Sequence, residues 1–176
     1  MRIEIKERGS EEFYRETVIV ASQYQNLMKN PQRKLKNPFK SYRTGLILCS
    51  VLFLLLGVLI VLWGIDTTVV VALVVLAVNI ILSIILLRNL NKLKNTLMND
   101  TRTSVFSMDE RGVELDKEGA HVVRIAWDNL AFIRVFDKSI CFAAKEGTGL
   151  TISIDRKYED EIRGYMKENK PDYPIL

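Results

Sequence analysis

Hydrophobic and polar positions change their period several times along the chain. Residues 2–6 alternate, with Ile3 and Ile5 on one side of a short strand. Gly9 and Ser10 break it, and Ser10 stands where a helix cap belongs, with Glu11 and Glu12 in the first turn. Phe13, Thr17, Val20, Tyr24 and Leu27 then recur at helical spacing. They predict one helix over residues 11–28, ended by Asn30 and Pro31. That stripe suits the membrane surface or a packing face on the C-terminal region. Val18, Ile19 and Ala21 widen the apolar surface and favour packing. Residues 44–65 carry no charge, Asp66 follows, and residues 67–87 again carry none. Helical rise gives each run a length of roughly 32 Å, which matches a hydrocarbon core of about 30 Å. The two runs read as an antiparallel pair of membrane-spanning helices.

Beyond residue 88 the second helix continues to about residue 97, and from Thr103 the period becomes two. Six short strands are predicted, over residues 104–108, 113–117, 120–127, 131–136, 139–143 and 150–154. Phe106, Met108, Val123, Ile125, Trp127, Ile133, Val135, Ile140, Phe142, Leu150, Ile152 and Ile154 fall on their inner faces. A helix over residues 157–168 closes the chain, with Ile162, Tyr165 and Met166 on its apolar face, and Pro171 and Pro174 end the fold. The fold class is therefore an α-helical membrane hairpin followed by a mainly β domain with a C-terminal helix. Composition divides the 176 residues into an N-terminal segment (1–43), the hairpin (44–87), a helical linker (88–102) and the β domain (103–176).

Charge sharpens the topology. The net charge of +4 suggests nucleic acid until it is sorted by segment. Residues 29–43 hold six basic groups and no acid, and residues 88–102 hold four against Asp100. The β domain sums to −3, which argues against nucleic acid as a partner. Cations on the outer flanks and none in the turn place both termini in the cytoplasm of a multi-pass cell-membrane protein. Trp63 sits where an interfacial ring belongs. The basic flanks would also attract the anionic inner leaflet. No cleavable leader is evident at residues 1–6, so the first span is expected to act as an anchor.

Within the spans, Ser50, Gly57 and Gly64 recur at a spacing of seven, and Thr68, Ala72, Asn79 and Ser83 fall roughly on one face. Small residues of this kind let membrane helices approach closely. The seam would hold the hairpin shut or join copies into a homo-oligomer. Asn79 is expected to reach the region of Cys49 and Ser50 on the first span. In the β domain, Arg124 and Arg134 are predicted to point outward on adjacent strands, with Lys138 and Arg156 extending a patch for lipid or acidic peptide. A solvated basic face explains the same residues.

Enzymatic signals are missing. His121 reads as a strand-edge residue, and one histidine with two distant cysteines does not make a zinc site. Residues 147–149 form a turn without the Walker lysine or a following helix. Asp155, Glu159, Asp160 and Glu161 read as acids at a helix start. No cofactor, metal or catalytic residue is expected.

Residues 106–115 (FSMDERGVEL), 125–130 (IAWDNL) with Ile133, and 150–156 (LTISIDR) resemble the YcxB-like family of bacterial membrane proteins. The most specific element is the core motif of Ile125, Trp127, Leu130 and Ile133. The resemblance covers almost the whole chain. It implies a short N-terminal strand and helix, a two-span hairpin and a pleckstrin-homology-like C-terminal domain. The family often shows Ile-Pro-Lys before the last helix, where this chain has Ile154, Asp155 and Arg156. The family implies no activity. The expectation is a membrane-anchored adaptor that presents this domain at the inner leaflet to a protein partner. The alternative is a homo-oligomeric scaffold or pore built from the hairpins.

Overall fold

The computed structural model describes residues 1–5, 9–63, 66–119, 122–146 and 150–176, with Trp63 described by its backbone alone. The readings for Lys6, the Trp63 ring, Gly64, His121 and residues 147–149 lie outside the described residues. Two compact units result. One comprises Met1–Leu35 with Thr96–Leu176, and the other Lys36–Asn95. The N-terminal segment, set apart by composition, is thus folded together with the C-terminal strands.

In the first unit, β1 (Arg2–Ile5), β2 (Ser104–Met108), β3 (Gly112–Lys117) and β4 (Val123–Ala126) form one antiparallel sheet in that order. The short first strand pairs across a sequence gap of about a hundred residues, with Ile3 opposite Phe106 and Ile5 opposite Ser104. The Met1 amine donates to the Met108 carbonyl at 2.8 Å and fixes that register. The N-terminal strand that alternation predicts thus joins the sheet of the C-terminal domain. The second sheet orders β5 (Leu130–Val135), β6 (Ser139–Ala144) and β7 (Thr151–Asp155), again antiparallel. Its outer β5 edge is covered by the C-terminal tail: Leu176 N–H donates to Ile133 O at 2.9 Å, and Leu176 O accepts from Val135 N–H at 3.0 Å.

The inner faces of both sheets share one core. Phe106, Met108, Val113 and Ile125 meet Ile140, Phe142, Ile152 and Ile154, and Ile162 and Met166 of the last helix (Glu159–Asn169) join them. Trp127, Leu130 and Ile133 belong to the same cluster. Leu130 and Ile133 both reach it because a bulge between Leu130 and Phe132 shifts the period by one residue. The indole of Trp127 donates to Asp109 O at 2.8 Å, so its polar edge is satisfied. Gly112 is required at the start of β3. A Cβ there would collide with the Ile125 carbonyl oxygen on the neighbouring strand.

The outer face of the second sheet is also covered. Helix α1 (Glu11–Ser22) starts on a Ser10 cap that accepts from Phe13 N–H at 3.1 Å, as the spacing predicts. The single helix expected over residues 11–28 is instead interrupted at Gln23, and α2 (Tyr24–Lys29) follows. Ser22 Oγ donates back to Ile19 O at 2.8 Å. The break aims Tyr24 and Leu27 at the sheet. Val20, Tyr24 and Leu27 pack on Phe132, Phe136, Cys141 and Ala143, and Tyr24 Oη donates to Ala144 O at 2.5 Å. Every residue of β6 is consequently buried.

The second unit consists mainly of two long helices. Helix α3 (Pro38–Trp63) begins six residues before the uncharged run, and α4 (Thr67–Met98) continues past it. Both are long and apolar enough to cross a membrane. The partly buried positions of α4 include Val69, Leu73, Leu76, Ile80, Ser83 and Leu87, a heptad pattern. Those of α3 include Tyr42, Leu46, Cys49, Ser50, Leu56 and Ile60.

Candidate functional site

The four predicted patch cations do not form one outward patch. Arg124 lies on β4 and Arg134 on β5, strands of different sheets. Arg124 pairs with Glu114 on the neighbouring strand. Arg134 donates to the carbonyls of Pro31 and Arg33, at 2.8 Å for the latter, and stacks 4.5 Å from the Phe136 ring centroid. Its outward face is the face the N-terminal segment covers, so it ties down the chain leaving α2. Lys138 pairs with Glu12 at 3.1 Å, and Arg156 with Glu159 at 2.9 Å. These cations therefore hold elements together.

Glu16 has a comparable role that sequence reasoning missed. Its Oε1 accepts from Lys138 N–H at 3.0 Å and from Ser139 Oγ at 2.7 Å. Ser139 is fully buried, so this carboxylate satisfies a polar group that would otherwise be stranded at the β5–β6 turn. A partly buried glutamate beside the apolar stripe of a helix carries no local signal of such a contact.

A cavity of about 300 Å3 opens beside this packing. Phe13, Tyr14 and Thr17 of α1 form its roof. Ile5, Leu115 and Val123 come from the first sheet, and Thr151, Ser153 and Asp155 from β7. Residues 100–104 complete the wall where the chain enters β2. Asp100 is the electrostatic centre of that wall. Arg102 grips it through two bonds of 2.7 and 2.8 Å, and Lys117 approaches to 3.3 Å. The Arg102 guanidinium holds the Asp100 carboxyl well below the usual carboxylate range, against the opposing effect of burial. The cleft thus joins apolar walls to a cation-rich rim at Arg102, Lys117 and Lys157. Sheet order leaves β7 as an edge strand along one wall.

The hairpin residues are distributed differently from expectation. Ser50, Gly57, Ala72 and Ser83 are partly buried. A Cβ built at Gly57 meets nothing within 4 Å, so no helix approaches closely there. Asn79 is exposed, and its amide donates to Val75 O of its own helix at 2.8 Å. It does not reach Cys49 or Ser50. One turn of backbone accepts the amide locally, and the heptad seam passes through Leu76 and Ile80 on either side of it.

Cys49 and Cys141 are free thiols. Burial pushes the Cys141 thiol up to about 12. Among the described residues no group of His, Cys, Asp and Glu side chains is arranged to hold a metal ion. Comparison with family models, with curated proteins and with solved structures gave no match to this chain.

Proposed function

We propose that the chain is a membrane-anchored binding module whose folded unit takes an extended protein segment into the cleft beside β7. The observation that carries this reading is an edge strand forming one wall of a cavity with apolar sides and a charged rim. Edge strands accept added strands through main-chain hydrogen bonds, and neighbouring apolar pockets select side chains. The YcxB-like resemblance is part of the same proposal. A four-stranded and a three-stranded antiparallel sheet sharing one core with a C-terminal helix support a pleckstrin-homology-like domain.

Topology adds support. The segments on either side of the hairpin fold into one unit, through β1–β2 pairing and the docking of α1. Two apolar helices that both cross the bilayer would leave those segments on one side. Basic residues outside both spans favour the cytoplasm for that side. The hairpin then tethers the folded unit to the inner leaflet.

The test is site-specific photo-crosslinking from Thr151 in the full-length protein in its own membrane, read by mass spectrometry. A recurrent heterologous protein, lost when Val123→Trp fills the cleft, is the expected result. Crosslinks to lipid alone, or ones indifferent to Val123→Trp, would refute an extended protein ligand at this site.

A further inference from the structure

The most unusual polar group in the second unit is Asn79. From Val70 to Leu86, it is the one exposed side chain on α4 that is not hydrocarbon, and every exposed side chain on α3 from Ile47 to Leu62 is hydrocarbon. Asn79 stands about 18 Å of helix from Thr67 and about 14 Å from Arg88, near the middle of a span. One amide N–H is bonded to Val75 O, its sole bond among the described residues. A second N–H and the amide oxygen remain. Lipid tails offer neither donor nor acceptor, so these groups favour any protein partner that brings both.

The surface around Asn79 is continuous. Thr68, Ala72, Val75, Asn79, Leu82 and Leu86 follow a 4-3-4-3-4 spacing, a second heptad stripe beside the one facing the hairpin seam. All of them but Ala72 are exposed, and Ala72 is small enough for close approach. A second copy of the chain, inserted in the same orientation, presents the same stripe in parallel. A two-fold axis along the membrane normal then sets each Asn79 against its counterpart. An amide is self-complementary, because N–H of each meets the oxygen of the other. Such a pairing also fixes register, since a one-turn slip strands both amides in hydrocarbon.

We propose that α4 is a homodimerisation helix, joined to α4 of a second copy along this stripe with Asn79 paired to Asn79. The pairing would present two clefts from one assembly. It rests on the membrane-anchored reading, and its test separates the two.

Single cysteines are placed at Val75 and Leu82 on the stripe, and at Val74 and Ile81 on the other exposed face, in the full-length chain with Cys49→Ala and Asn79 retained. Oxidative crosslinking is carried out in native membranes, and carbonate extraction is run in parallel. Disulfide-linked dimers are expected from Val75→Cys and Leu82→Cys, with loss at Val74→Cys and Ile81→Cys. Adding Asn79→Leu should abolish the dimers. Equal crosslinking on both faces, none on either, or dimers indifferent to Asn79→Leu would overturn the proposal. So would an intrachain disulfide between Asn79→Cys and the native Cys49, which would mean the amide faces its own hairpin. Release of the chain by carbonate would instead refute membrane anchoring itself.

Discussion

Leu27 discriminates between the two roles that its amphipathic stripe allows. It belongs to a six-residue helix with no independent stability, yet it is buried against Phe132, Phe136 and Cys141. If α1 and α2 are a structural layer of the domain, Leu27→Ala leaves a cavity beneath them. Loss of a fully buried leucine costs about 2–5 kcal/mol, and the constrained position between a helix break and a sheet favours about 3. A small domain has roughly 5–15 kcal/mol to lose. The measurement is urea unfolding of the full chain in mild detergent, followed by Trp127 fluorescence in a Trp63→Phe background. With a slope of about 1–3 kcal/mol per molar urea, the midpoint should fall by roughly 1–3 M. Gln25→Ala, exposed on the same turn, should leave it unchanged. Tyr24→Phe should fall between, by about 1–2 kcal/mol, because it strands the buried Ala144 carbonyl. A Leu27→Ala midpoint equal to wild type would refute the layer, and the helix would then belong to the membrane surface.

Three further outcomes follow from local geometry. Gly112→Ala should cost at least about 2 kcal/mol in the same assay, because its Cβ meets main chain on β4 and relief means breaking the β3–β4 ladder. Wild-type stability in Gly112→Ala would contradict that register. With its thiol pushed up to about 12, Cys141 should resist maleimide at pH 8 in folded Cys49→Ala protein and react fully in urea; rapid native labelling would count against its burial. Asp100, Asp109 and Glu159 are all held below their ordinary values, by Arg102, by the Arg111 and Gly112 N–H groups, and by Arg163 with Arg156. Their contribution is present above the unfolded range near pH 4 and is lost as pH falls through the folded values. The thermal midpoint should stay level from pH 7 to 5 and drop below about pH 4, less so in Asp100→Asn. A midpoint that rises on acidification would refute the assignment.

The inner core was legible because alternation places Phe106, Met108, Ile125, Ile140, Phe142, Ile152 and Ile154 on one side of each strand. What alternation missed came from contacts between distant segments. β1 is four residues long and acquires its meaning from a partner about a hundred residues away. The second covered face of the β5–β7 sheet left a trace in the unbroken run Ile140 to Ala144, which reads as a strand buried on both sides. Arg134 was misleading for the same reason. Its outward position is real, but the outward side is occupied by the segment after α2, whose carbonyls receive its guanidinium. The cleft had no linear signature, since α1, β3, β7 and residues 100–104 each contribute a few side chains. Asn79 was visible as an anomaly, but its direction depends on which heptad stripe turns inward.

Folding of both flanks into one unit has a consequence for the hairpin. Residues 36–95 become an insertion in a domain whose strands and core lie wholly outside it. Domains tolerate removal of an insertion when the joined ends are not themselves core elements. Leu35 packs at the margin of the second cluster and Thr96 lies in the last turn of α4, so both are retained and the junction falls outside the strands and the buried core. A flexible linker of about 15 Gly and Ser residues reaches roughly 20 Å on average and adds little closure entropy. Replacing residues 36–95 with it should give a water-soluble chain that unfolds cooperatively, with its amides in β1, β2 and β6 the slowest to exchange. Exchange protection of β1 is the critical readout, since it requires the N-terminal strand to find β2 without the membrane holding the two together. A soluble chain in which β1 exchanges freely while β2–β7 remain protected would show that the hairpin contributes the effective concentration that pairs them. An unfolded chain would refute the insertion and make the helical pair part of the fold.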